Sequence, residues 1–481
     1  MKEEYKDYLV EIEKNKKELE EISDSVWSYA ELSYYESKSA ELISNYLAEK
    51  GFEVKEGTYN IPTSFTASYG QGRPYIGILG EYDALANLSQ ESGILNKSAM
   101  EEGAPGHGCG HNLLGVGSLA AVLAIKAYLE NTGKSGTVIY YGCPAEEKGS
   151  GKAFMAREGA FDELDLAYCW HPAELNEVMQ ESSLANVSVR YSFYGVSAHA
   201  AENPQDGRSA LDGLELMNVG VNFLREHINP LAKVHYAITN AGGLSANVVQ
   251  PNAEAVYLIR DTDINKAYEL WDRVNKVAEG AAMATETRVE YQMQKSCANF
   301  VSNKVMEKSL AESFKLVEFP HYTKEEYEYA EKLSETALNV DTRAKRRISD
   351  MLYTDNAEYM RSRADAPIFE GIVPYEEKAN AGYLSGSTDV GDVSWCCPTA
   401  QIRTATWCAR SGGHSWQIVA QGKSSYAKKG MLYAGKVIAC SAMDFIDNPE
   451  LVERAKEEYT LFRKYNDYRP IPVEVLPGAN K

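Results

Sequence analysis

Short apolar runs alternate with amphipathic stretches through the first third of the chain. Residues 5–50 space their apolar positions as helices do: a charged helix to about Glu21, then a second from Val26 to Lys50 with Ser23 or Asp24 as cap and Gly51 as stop. Residues 52–70 alternate like strands, and Tyr75 to Leu79 is a continuous apolar run ending in Gly80-Glu81-Tyr82-Asp83, the pattern of a buried strand. A second apolar helix pattern, Leu113 to Leu129, precedes a strand from Thr137 to Tyr141 that ends in Cys143-Pro144-Ala145-Glu146-Glu147. A short helix and a third strand, Leu166 to Trp170, lead to His171-Pro172. Strands alternating with helices predict an α/β fold with a mixed, mainly parallel sheet and helices on both faces.

From Leu184 the pattern changes. Ala185 to Phe193 alternates strictly, as a strand with one wet face does. A helix near Ser209–Glu226, strands near 234–239 and 253–260, a helix over 264–285 and a strand from Arg288 to Gln292 complete an α+β segment. The predicted organisation is one domain from 1–183 and 298–481, interrupted by an inserted domain at 184–297. Residues 304–380 read as helical and tyrosine-rich, either a packed cover or an aromatic pocket lining. The segment from Gly382 to Trp416 is glycine-rich and polar, and a last apolar helix runs from about Tyr426 to Ile446.

Composition narrows the function classes. A net charge of −20 argues against nucleic acid or anionic membrane as partner, since both demand clustered cations. The basic run Lys345-Arg346-Arg347 reads as a solvated helix face. The charged start and the absence of a membrane-length apolar run predict a cytoplasmic protein. Its 8 cysteines lack framework spacing and are expected to be reduced; Cys396-Cys397 reads as ordinary packing rather than a redox pair.

The chemistry gathers at strand ends. In open α/β sheets ligands bind beyond the carboxyl ends of the strands, and Asp83, Cys109, His111, Glu146, Glu147 and His171 all fall there. Gly106-His107-Gly108-Cys109-Gly110-His111-Asn112 combines a tight turn with thiolate and imidazole donors suited to a divalent metal. The same loop also fits a helix start that holds nothing, and Glu146-Glu147 also fits a solvated turn. His414, in Gly412-Gly413-His414-Ser415, is a further donor from the C-terminal half. Paired carboxylates can divide labour, one holding metal and the other moving a proton.

Gly-Cys-Gly-His-Asn, Pro-Ala-Glu-Glu, Trp-His-Pro, Gly-Val-Ser-Ala-His-Ala-Ala, Asn-Val-Val-Gln-Pro and Gly-Gly-His-Ser, in this order, resemble the binuclear metalloamidohydrolases related to aminoacylase and carboxypeptidase G. The resemblance covers essentially the whole chain. It implies a zinc-peptidase-like catalytic domain and an inserted dimerisation or lid domain. It further implies two divalent ions, Zn2+ or Mn2+, held by Cys109, His111, Glu147, His171 and His414, with Glu146 as general base. Asp83 matches a family aspartate near the metals. Its partner, a histidine ligand in the peptidase branch, is here Glu81, leaving Cys109 and His111 to compensate. Where the amidohydrolase branch carries Asp and a second His, this chain has Asn112 and Leu114; Asn112 is expected to orient His111 through a hydrogen bond.

In the inserted domain the resemblance makes His199 a residue that reaches into a partner subunit's active site, and Asn247 and Arg260 holders of a substrate carboxylate. Read without it, His199 is a surface histidine and Arg260 a strand-end ion pair. The implied reaction is hydrolysis of an N-acyl amino acid, with p-aminobenzoyl-glutamate as the subgroup's substrate and a homodimer or a paralogous subunit as partner. A dipeptidase, another N-acyl-amino-acid amidohydrolase, or a non-catalytic partner subunit are the competing readings.

Overall fold

The computed structural model describes residues 1–338, 342–349, 355–378, 381–384 and 386–478. Positions 339–341, 350–354 and 379–380 of the tyrosine-rich stretch thus lie outside the described residues. The chain divides into two compact units, Met1–Gln180 with Val301–Ala381 and Cys396–Asn466, and Glu181–Phe300 with Gly382–Trp395 and Asp467–Lys481. The segment 298–481, read from sequence as one piece of the catalytic domain, is therefore shared between the units.

Among the described residues the first unit has a seven-stranded sheet: β1 (Glu53–Glu56), β2 (Phe65–Gln71), β3 (Tyr75–Glu81), β4 (Gly136–Cys143), β5 (Leu166–Ala173), β6 (Glu177–Met179) and a late strand, Thr399–Ala405. Its order is β1-β2-β4-β3-β5, then the late strand, then β6. The pairs β4/β3, β3/β5 and β5/late strand are parallel, whereas both edges are antiparallel. The expected mainly parallel sheet is thus confined to the centre, where the site-bearing strands lie.

The late strand, Thr-Ala-Gln-Ile-Arg-Thr-Ala, is buried throughout although its sequence reads as polar loop. Its polar side chains are satisfied by partners distant in sequence: Thr404 donates to the Gly430 carbonyl and Arg403 to Glu177.

The N-terminus forms three helices rather than two: α1 (Lys6–Lys14), α2 (Lys16–Tyr29) and α3 (Ser37–Glu49). Ser23 caps nothing, because the apolar stripe Leu19, Ile22, Val26, Trp27 runs through it and buries it within α2. The chain instead breaks at Asn15, whose amide donates to the Glu11 carbonyl, and at Ala30, which takes a left-handed conformation with φ 44°.

Helix α4 (His111–Thr132) begins two residues before the expected Leu113 and stops at Gly133, φ 63°. Among the described residues it is the one helix long and apolar enough to cross a membrane, yet 89% of its apolar window is buried, packed against β3, α1, α2 and the C-terminal helix Ser425–Asp447. It is the core of this unit. Two short helices, α5 (Glu146–Gly149) and α6 (Gly151–Arg157), follow β4.

The described part of the tyrosine-rich stretch packs as a cover. Ala344, Ala357, Met360, Ala364 and Phe369 close over Leu175 and Ala405. The basic run is not a free face: Arg347 pairs with buried Glu177 at 2.9 Å and Lys345 with Asp365 at 2.5 Å. The eight cysteines are all free, with Cys397 buried and Cys396 partly so.

The second unit carries an antiparallel sheet of β8 (Ala185–Tyr194), β9 (Lys233–Asn240), β10 (Asn252–Asp261) and β11 (Arg288–Cys297), in the order β11-β8-β10-β9; a two-residue strand β7 (Ser182–Ser183) pairs with Tyr383–Leu384. Helices α7 (Ala210–Leu224) and α8 (Ile264–Ala284) pack on β8 and β10. The alternation of β8 does not leave a wet face: Ser188 and Ser192 are buried and donate to Gln294 and Glu254 on the neighbouring strands.

Candidate metal centre

Backbone geometry first brings the Cys/His loop to the end of β3. Leu85 and Gly106 exchange backbone hydrogen bonds at 3.0 and 2.9 Å, which pins the loop two residues beyond Asp83. Only glycine fits at position 106, where a Cβ would lie 2.2 Å from the Leu88 carbonyl oxygen. Gly110 adopts φ 78° as the residue before α4, so that His111 opens the helix facing the sheet edge. The His414 amide donates to the Gly108 carbonyl at 2.8 Å, and this bond ties the C-terminal loop to the same place.

The donors then converge. Cys109 Sγ lies 3.3 Å from His171 Nε2, while His171 Nδ1 sits 2.7 Å from the Pro172 carbonyl; donation there leaves Nε2 bare. His414 Nε2 is 3.4 Å from Glu147 Oε2, and His111 Nε2 is 3.9 Å from Glu147 Oε1. His111 Nε2 also faces Glu81 Oε2 at 3.3 Å. Three groups have donor atoms close enough to share an ion: Cys109, His111, His171; Cys109, Glu147, His414; and Glu81, His111, Glu146.

These residues fit a bound metal on a point of their own. Glu81 Oε2, His111 Nε2 and Glu147 Oε1 are buried without a hydrogen-bond partner, although each would ordinarily be satisfied. Soft thiolate, imidazole and carboxylate donors together suit zinc or manganese.

Behind the donors stands a fixed frame. Asp83 Oδ1 is 3.0 Å from His111 Nδ1, and Oδ2 accepts from the Ser33 hydroxyl at 2.8 Å and the Glu147 amide at 3.0 Å. Glu36 Oε1 accepts from the Ala145 amide at 2.9 Å, holding that residue at φ 62° just before Glu146-Glu147. Asn112 does not orient His111. Neighbouring helical residues point about 100° apart, and Asn112 turns to Ser23 and the Gly422 carbonyl, both at 3.2 Å.

Protonation follows from these surroundings. Burial pushes Glu147 up to about 8, with Glu146, Asp83 and Glu81 adding to it against the charge of His111. Burial, with Glu81 beside it, also raises Glu146. Burial opposes charge on Asp83, but its bonds to His111, the Glu147 amide and Ser33 hold its carboxyl below the usual range. Burial and the charge on His111 push His171 down to about 3, which keeps it in the neutral, ligating form. The Cys109 thiol is raised by burial and by Glu147, so its thiolate calls for a cation.

His199, Asn247 and Arg260 belong to the second unit. His199 is exposed, and its Nδ1 accepts from the amides of Ala201 and Glu202 at 3.3 and 3.1 Å. The Asn247 carbonyl accepts from the Ala200 amide at 2.9 Å. Arg260 Nη1 donates to Ser387 Oγ at 2.5 Å.

Four residues of the centre escaped sequence reasoning as participants: Ser33, Glu36, Glu81 and Lys152. Ser33 and Glu36 sit in a loop without glycine or proline. Lys152 is wholly buried and pairs with Glu81 Oε1 at 2.6 Å, whereas a lysine on a short helix ordinarily reads as solvent-facing. The available signal was a glutamate at the end of a buried strand.

Comparison with known proteins gives a consistent outcome. The model of peptidase family M20/M25/M40 matches residues 77–383. The chain is 41% identical over 472 residues to one of the subunits of p-aminobenzoyl-glutamate hydrolase from Escherichia coli K12, covering 98% of both chains. It is 27% identical over 452 residues to the Xaa-Arg dipeptidase of Mus musculus, covering 91% of this chain and 88% of that one. Among solved structures, a dinuclear metal-binding peptidase of the M20 family from Bacillus subtilis shares the fold with a TM-score of 0.55 at 15% identity, over 90% of this chain and 99% of that one.

Proposed function

The chain belongs to peptidase family M20/M25/M40, and from that premise we propose that it cleaves the amide bond of p-aminobenzoyl-glutamate to p-aminobenzoate and glutamate. It is a metal-dependent amide hydrolase. The observation that carries the reading is the convergence of bare buried donors on Glu146 and Glu147, in a chain 41% identical over 98% of its length to a hydrolase subunit of that name.

In this reading Cys109, His111, Glu147, His171 and His414 hold two divalent ions, in keeping with the dinuclear description of the Bacillus relative. Such ions lower the pKa of a water and polarise the amide carbonyl. Asp83 accepts a hydrogen bond from His111 Nδ1 and so presents Nε2 to the site. Glu146, raised by burial, accepts the proton of the attacking water and returns it to the leaving amine. Arg260 and Asn247 anchor the substrate carboxylate, a charge-assisted contact of added value in a protein of net charge −20. His199 stabilises the oxyanion.

The second unit is the dimerisation or lid domain of this reading. Its helix α7 exposes Leu216, Val219 and Phe223, the last 72% accessible, and β9 is an edge strand exposing Tyr236 and Ile238. Unpaired strand edges and apolar helix faces are what a second subunit covers. Because the E. coli relative is itself named a subunit, the partner is a second copy or a paralogue. His199 then acts across that interface. The setting is the cytoplasm, where the eight free cysteines stay reduced.

The test is metal content by elemental analysis and glutamate release from p-aminobenzoyl-glutamate on one preparation of the purified chain, beside a dipeptide and other N-acyl amino acids. About two ions per chain with turnover on p-aminobenzoyl-glutamate supports the reading. Preference for dipeptides overturns the substrate, and no turnover without a paralogous partner overturns the chain as an enzyme on its own. Mixing His199→Ala with Glu146→Ala chains should restore some activity; none recovered sinks the shared site.

A further inference from the structure

Glu81 occupies the place where the sequence resemblance leaves a metal ligand missing. It ends β3, only 1% exposed, and its two oxygens face different groups. Oε1 is clamped at 2.6 Å by the ammonium of Lys152, itself 0% exposed. Oε2 has no hydrogen-bond partner and stands 3.3 Å from His111 Nε2, which also has none. Asp83 already occupies the other nitrogen of His111, at 3.0 Å.

A carboxylate oxygen and an imidazole nitrogen, both metal-ligating atoms, thus face each other in the interior without a hydrogen-bond partner. A hydrogen bond would need the proton between them, and the pair at 3.3 Å does not have hydrogen-bond geometry. The spacing instead matches the edge of a coordination tetrahedron, roughly 3.3–3.5 Å for two donors each about 2.1 Å from one ion. Glu146 offers an oxygen within the same 4.8 Å group.

We propose that Glu81 is an additional carboxylate ligand, binding through Oε2 the ion that His111 holds, and that Lys152 fixes the carboxylate by taking Oε1. The lysine also offsets one negative charge in a cluster that contains Asp83, Glu146 and Glu147. The position at the end of β3 thus keeps its ligand role with an oxygen in place of an imidazole nitrogen, and the centre gains a harder donor. This rests on the reading that two ions occupy the centre.

The experiment is a chelator-competition titration of the stripped full-length chain with Zn2+ and with Mn2+, which reads stoichiometry and Kd without turnover. Four chains are compared: wild type, Lys152→Met, Glu81→Asp, and the pair Glu81→Gln/Lys152→Met, which removes both charges of that ion pair together. The wild type should bind two ions. Glu81→Asp, which withdraws the oxygen by one methylene, should weaken one of them by roughly 10- to 100-fold, and the double variant at least as much. Lys152→Met should weaken the same ion less, since Glu81 remains. The proposal is overturned if both Glu81 variants match the wild type in stoichiometry and Kd. A wild type that binds no ion overturns the functional reading and this proposal with it.

Discussion

Two carboxylates of the first unit, both withdrawn from solvent, meet opposite fates. Glu177, on β6, is surrounded by Arg403 at 2.6 Å, Arg347 at 2.9 Å and Arg343 at 3.5 Å. Burial alone would raise it, but the three guanidinium groups outweigh that and hold it at about 2. Glu147, on α5, is buried among other carboxylates and rises to about 8. At Glu177 the chain supplies the counter-charge from its own arginines. At Glu147 it supplies donors and too little positive charge, so the balance must come from an ion. A buried carboxylate short of cations whose oxygen also lacks a hydrogen-bond partner, as in Glu147, is open to a ligand, whereas one saturated by cations, as in Glu177, or by hydrogen bonds, as in Glu36, is part of the frame.

The strongest way to break this contrast is to remove the ions. Chelation should abolish turnover, with recovery on adding Zn2+ or Mn2+, while far-UV circular dichroism stays unchanged because the Glu177 cluster needs no ion. Full activity in a chain shown to be metal-free would end the argument. Next in size, Glu146→Ala should lower kcat at least ~100-fold with metal content intact. Near-wild-type turnover would remove Glu146 from its role.

On the saturated side, Glu177→Ala removes the shared carboxylate of three guanidinium groups and should cost about 3–5 kcal/mol of unfolding free energy, equally with and without metal. A loss under about 1 kcal/mol in denaturant titrations would show that the arginines have adequate partners elsewhere.

The pH dependence of the metal-free protein sharpens the contrast further. Glu147 and Glu36, both raised to about 8 by burial, favour folding while protonated, a contribution present below about 4.5 and lost as pH rises to 8. Glu177 works in the reverse sense, its contribution present above about 4.5 and lost as pH falls towards 2. The metal-free melting temperature should therefore decline between pH 5 and 8, and a saturating divalent ion should flatten that decline by taking the place of protons. A metal-free melting temperature that climbs over this range would contradict the assignment. The smallest effect is at Asn112, whose alanine variant should lose about 1 kcal/mol of stability with metal affinity unchanged, since its bonds go to Ser23 and Gly422.

The same contrast explains what could be read from sequence. The strands that carry Glu81 and His171 and the one that leads into Glu146 were legible because buried parallel strands are continuous apolar runs, and the Cys109/His111 loop because its glycines advertise a tight turn. Features made by long-range pairing were not. Thr399–Ala405 hides its burial behind threonines, a glutamine and an arginine whose partners lie elsewhere in the chain. Arg347 reads as surface until Glu177 is placed beneath it, and Ser33, Glu36 and Lys152 have roles only through what they touch. Asn112 misled for a local reason, the turn of a helix between adjacent positions.

The central position of the late strand has a consequence for synthesis. It lies between β5 and β6, and the Arg403–Glu177 pair joins residues 226 apart. The ribosome thus delivers β3, β4 and β5 long before the strand that covers the flank of β5, and His414 emerges later still. Closure of so long a loop is slow, and until it happens an apolar strand edge stands open. The centre is therefore not completed before residue 414 has been made, and a fragment ending before residue 399 has the means neither to finish its sheet nor to complete its set of donors.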